Sequence, residues 1–141
     1  MEEIDSAIEA ADTFVFVISP DSVASKVCNL EVAHAVEHNK RLVPITRREI
    51  DEKATFEALA GRDWEVRAQD NWKALKQLNW IFFRESDDFG SACQALIEAI
   101  ETDLDWVRAH TRLLVRAREW DEKGRDNSFV LRGSDLQEAE Q

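Results

Sequence analysis

Six residues, Thr13 to Ile18, constrain this chain more than any other stretch. A helical pattern leads into this apolar run, and a second follows it after Ser19 and Pro20. An apolar run this short, bounded by turn residues, reads as a strand buried on both faces. Helix, buried strand, helix is the grammar of a parallel α/β sheet. Two later segments repeat it, Arg41–Thr46 and Trp80 onward to residue 85. The expected fold class is therefore α/β, with about three parallel strands and flanking helices.

The helical patterns fix expectations between the strands. Ile4, Ala7, Ile8 and Ala11 fall at i, i+3, i+4 and i+7, one face of an amphipathic helix over residues 1–11. Ser22 or Ser25 can cap the next helix, which runs to about His38, and Asn39 suits its end. Pro44 cannot donate to a ladder, which places it at a sheet edge or a strand end. Residues 54–59 and 72–78 read as short helices around a polar middle that holds Gly61. Ser86 caps a last sheet-covering helix, with Asp87 and Asp88 in its first turn and Phe89, Cys93, Leu96, Ile97 and Ile100 as its buried stripe. The helices over 25–38 and 86–102 are expected as right-handed crossovers.

Beyond residue 102 the pattern is helical. Thr102 and Asp105 fit a capping box that opens a helix of about 20 residues, roughly 30 Å long. Trp106, His110, Leu113, Ala117 and Trp120 line one side of it, a stripe that can pack on the same domain or face a partner. Docking on the same domain is the expectation. Ser134 and Gln137 fit a second capping box.

Composition excludes several function classes. A net charge of −11 over 141 residues argues against nucleic acid and against an anionic membrane surface. Cys28 and Cys93 have neither zinc spacing nor a redox pair, and read as buried thiols in a reducing compartment. Met1, Glu2 and Glu3 open without the basic start of a signal peptide, and no apolar run approaches about 18 residues. The expected location is the cytoplasm.

Residues 7–45 resemble the second half of a TIR domain (Toll/interleukin-1 receptor type). Three features carry the resemblance. They are the Ile18, Ser19, Pro20 end of the buried strand; Ser25, Cys28 and Glu31 at three-residue spacing on the next helix; and the Leu42, Val43, Pro44, Ile45 strand. The run from Asn79 to Phe89 is similar to the family's last strand and last helix. Residues 103–141 are similar to the segment that joins bacterial TIR domains to downstream NTPase or WD-repeat modules.

The resemblance implies a flavodoxin-like parallel sheet, truncated because the chain opens at the helix before the family's third strand. It implies a TIR-like domain over 1–102 and a helical linker over 103–141 leading toward a further module. It implies a signal-transduction and protein-interaction role, with other TIR domains or a second copy as partners. The run from Phe14 to Ile18, with no charge or proline to guard it, would be a bared sheet edge open to strand addition.

Glu31 is the residue with a chemical alternative. On a helix over 25–38 the apolar face centres on Cys28, Val32 and Ala35, and Glu31 stands about 60–80° from that centre. A carboxylate there can border the crevice at the carboxyl ends of the strands, near Ser19. The resemblance places Glu31 at the catalytic glutamate of TIR domains that split NAD at the nicotinamide–ribose bond, with Ser19 and Cys28 in the substrate neighbourhood. Val27 stands where that motif often carries an aromatic residue. NAD enters as the substrate of this alternative; no cofactor is expected. No metal is expected either. Glu31 and His34 form only half of a di-iron pattern, His34 reads as lying on a wetter helix face, and His38 and His110 read as ordinary helix residues.

Overall fold

A computed structural model describes residues 1–140. Its centre is a parallel sheet of three strands, β1 (Thr13–Ile18), β2 (Arg41–Thr46) and β3 (Ile81–Phe82), in the order β1-β2-β3. Thr13 is in register with Arg41 and Ile18 with Thr46, while β3 pairs only with Ile45 and Thr46. The expected α/β parallel architecture is present, with β1 at the edge beside β2. The third strand is shorter than residues 80–85. Phe83 N–H still donates to Thr46 O at 2.8 Å, but Arg84 N–H is claimed by Asp87 Oδ2 at 2.9 Å, which turns the chain away. Pro44 lies before the point where β3 begins to pair, so β2 has a strand partner on one side only along that stretch.

Helix α1 (Glu2–Ala10) leads into β1, and α2 (Pro20–Ala24) and α3 (Lys26–Glu37) connect β1 to β2. The expected single helix over 25–38 is thus preceded by a separate short one. Ser19 caps α2 and Ser25 caps α3, each accepting a backbone N–H three residues on. Asn39 takes positive φ after α3, which fits its expected role as a stop. Helices α4 (Glu52–Leu59) and α5 (Glu65–Lys76) connect β2 to β3. That finding corrects the expected crossovers: α6 (Phe89–Glu101) follows the last strand and crosses between none of the three. Asp88, not Ser86, caps α6, because its carboxylate accepts from Ser91 N–H at 2.8 Å while Asp87 is held by Arg84.

The core lies where α2, α3 and α5 meet one face of β1. Phe16, Ile18, Val23, Val32, Trp72 and Leu75 form it, with Cys28 packed at its margin. The other face of β1 is bare, which corrects the expectation of a strand buried on both faces. Val15 and Val17 are 37% and 46% exposed, because α6 packs mainly on β2 and β3. For the same reason the expected stripe of α6 is only half covered. Ala92 is buried, whereas Phe89 is 72% exposed and Ile97 is also exposed.

Helix α7 (Leu104–Glu122) docks on α1, as expected, but through a different face. Val107 and Thr111 are buried there, while Trp106 is exposed and stacks on His110. Neither C-terminal capping box forms. The Thr102 hydroxyl turns back to donate to Glu98 O at 2.7 Å, and the N-cap of α7 is Asp103 at φ 51°. Gly133 takes the cap position of α8 (Ser134–Ala139), leaving Ser134 as its first helical residue. Arg112 and Arg116 then tie α8 to α7 through Glu138 and Asp135.

Candidate functional site

The sequence at the carboxyl end of β1 builds a double cap. Ser19 is extended and cannot continue a helix, so its hydroxyl accepts from Ser22 N–H at 3.2 Å while Ser22 Oγ accepts from Ser19 N–H at 3.0 Å. Six residues after Ser19, Ser25 closes α2 and accepts from Cys28 N–H at 3.2 Å, which sets the start of α3. This phase turns Cys28 toward the core and leaves Glu31, one turn further, half-buried. The Ser19 hydroxyl is thereby committed to a structural bond, and Cys28 to packing.

Asn29 and Asn71 hold this corner rigid. Asn29 Nδ2 donates to Val23 O at 2.8 Å and Ser25 O at 2.9 Å, and Asn71 Nδ2 donates to Asn29 O and Oδ1 at 2.8 and 3.0 Å. Two buried amides thus join α2, α3 and α5, both Nδ2 groups finding the partners that burial demands.

A cleft of about 310 Å³ lies at the carboxyl ends of the strands, where open α/β sheets receive ligands. Ile18, Thr46 and Phe82 form its floor, and Glu49, Glu52 and Lys76 stand at its sides. Ser19, Cys28 and Glu31 do not line it. Lys76 donates to Glu52 at 3.0 Å and holds its carboxyl below the usual range. The three residues suggested by the sequence are therefore close along one strand–helix corner but do not share this cleft.

The carboxylate that α3 engages is Glu9 of α1. It is 4% exposed at its side chain, an unusual place for a charge unless it is paired. His34 Nε2 lies 2.7 Å from Glu9 Oε1, His38 Nε2 lies 3.7 Å from the same oxygen, and Arg118 of α7 reaches it at 2.5 Å. Lys40 Nζ donates to Glu9 O at 3.1 Å and to Thr111 Oγ1 at 2.9 Å, and Thr111 donates to Ala11 O at 3.2 Å. Burial pushes the Lys40 amine down, against the opposing pull of Asp12 and Glu9. His34 is thus half-buried on a charged partner, which corrects its reading as a residue of a wetter face. Sequence reasoning did not single out Glu9. Its partners stand 25, 29 and 109 residues away, and the one local signal was the i, i+4 spacing of His34 and His38.

No helix of the described residues is long and apolar enough to cross a membrane. Comparison with curated proteins and with solved structures finds no match. The family comparison does match, over residues 1–97, which span every strand and most of α6. With the parallel sheet, the double-capped corner after β1 and this match over two-thirds of its length, the chain belongs to the TIR domain family.

Proposed function

We propose that the chain is a TIR-type signal-transduction and protein-interaction module of the cytoplasm, which associates with a second copy or with other TIR domains. The observation that carries this reading is the unprotected β1. It has a strand partner on one side only, and its Val15 and Val17 face solvent with no charge or proline along the strand. An edge of that kind favours addition of a further strand or sheet. In this reading residues 1–102 are a truncated TIR domain and 103–141 a helical linker, belonging to a larger TIR–NTPase or TIR–WD-repeat protein.

The test is the state of association. Light scattering at tens of micromolar should find the chain dimeric or larger. Val17→Lys puts a charge on the exposed face of the edge strand and should return the monomer with an unchanged circular dichroism spectrum. A wild-type chain that stays monomeric counts against the proposal.

A second reading, NAD hydrolase, rests on Glu31. It is half-buried at the position that the family resemblance makes catalytic, and α3 sends its two histidines to Glu9, not to it. A carboxylate facing the ribose stabilises the positive charge that builds as neutral nicotinamide leaves.

A further inference from the structure

We infer that Glu9, His34 and His38 form a binding site for a divalent transition-metal ion of the zinc type, which pins α1 to α3. The inference is independent of the signalling and hydrolase readings.

The donor atoms of the three side chains all lie within 4.8 Å of one another. Ligand atoms on a tetrahedral zinc about 2.1 Å away stand about 3.4 Å apart. The two nitrogen–oxygen separations, 2.7 and 3.7 Å, lie on either side of that value, so small side-chain movements suffice. Two imidazoles and one carboxylate select zinc or cobalt over magnesium or calcium, which want oxygen. Three protein ligands leave a fourth position for water.

The surroundings orient these ligands. His38 Nδ1 donates to His34 O at 2.9 Å, which leaves Nε2, the nitrogen facing Glu9, with its lone pair. His34 turns Nδ1 toward Asp5, 4.0 Å away, so a carboxylate stands behind that ring as well. A carboxylate or carbonyl on the far nitrogen is the usual support of a metal-binding histidine. The i, i+4 spacing brings the two rings together at the end of α3, with centroids 4.2 Å apart and planes tilted by 41°. Glu9 comes from another helix, so an ion here cross-links two elements that each precede a strand.

Arg118 is the competitor. Its guanidinium sits on the same Glu9 oxygen that the ion requires. It also lies 3.9 Å from Glu122, an exposed partner to which it can turn. Metal binding therefore displaces Arg118 from Glu9, and removing Arg118 strengthens metal binding.

The test uses the full chain without an affinity tag, titrated with Zn2+ in equilibrium dialysis and with Co2+ in visible spectroscopy. One ion per chain is expected. The cobalt spectrum should lack the intense thiolate band that Cys28 or Cys93 would produce. His38→Gln should weaken binding by at least about tenfold, Asp5→Asn by about tenfold, and Arg118→Ala should tighten it. In the unaltered chain, imidazole nitrogen resonances of His34 and His38 should move on addition of Zn2+, while those of His110 stay, a readout that needs no variant to fold. Absence of saturable 1:1 binding, a thiolate band, or shifts confined to His110 would overturn the site. Unchanged affinity in Arg118→Ala would overturn the exchange.

Discussion

A buried charge in this chain shapes the behaviour of its neighbours. Lys40 is 6% exposed, fixed between Glu9 and Thr111, and lies close enough to His110 for its charge to act there. Burial first, and then the Lys40 charge, hold the His110 imidazole below its ordinary value of 6.5. The native chain then gives up this proton at a lower pH than the unfolded chain does. Between the two values the unfolded state binds more protons, so stability rises with pH through that window. The contribution is constant above about 6.5 and becomes a full penalty below the native value. Urea unfolding at a series of pH values should show the slope, and His110→Gln should flatten it. An unchanged slope would place the pH dependence elsewhere. Half-buried Asp87 acts in the same sense in a more acidic window, since Arg84 holds its carboxyl below 3.8 and its support is lost only as pH falls through that lower value.

The elements were legible wherever one local signal decided them. The strands β1 and β2 begin and end as the apolar runs do, because Ser19 and Asn39 impose conformations that end one element and start another. Ser25 is the most economical example, since it closes α2 and opens α3 with one hydroxyl. Ser25→Ala should cost about 1 kcal/mol, read as a lower urea midpoint at unchanged slope. A shift smaller than error would mean that Asn29, which also bonds Ser25 O, holds the corner alone. The first turns of α5 were not legible. Residues 65–70 are polar apart from Val66 and Ala68, and only Ala68 is buried among them. The capping boxes at Thr102 and Ser134 failed for the converse reason. The pattern was present, but the Thr102 hydroxyl found the Glu98 carbonyl first, and Gly133 supplied a backbone turn that Ser134 did not need. The face by which α7 docks was displaced from the apolar stripe because Thr111 is fixed by hydrogen bonds to Lys40 and Ala11, which a hydropathy pattern does not register. The Glu9 cluster was hidden for a related reason: three helices distant in sequence build it.

At the scale of the whole molecule, catalysis is a question of walls. Cleaving NAD breaks the bond between the ribose carbon and the nicotinamide nitrogen, and water supplies the new bond to that carbon. Glu31 has the charge for this step, but a charge stabilises the transition state only when the ribose is held against it. Orientation of the reacting groups contributes about 7–11 kcal/mol, and it requires surfaces that fix the ribose against the carboxylate. The cleft at the strand ends is walled by Glu49, Glu52 and Lys76 and does not include Glu31. On the far side of β1, where a further layer would close a pocket, Val15 and Val17 meet solvent. Residues 1–141 alone should therefore release nicotinamide from NAD no faster than a protein-free control, and Glu31→Gln should leave that rate unchanged. Release that is strong in the unaltered chain and lost in Glu31→Gln would assign hydrolysis to Glu31 despite the open geometry. Strong release that survives Glu31→Gln would move the chemistry to another residue and remove Glu31 from it.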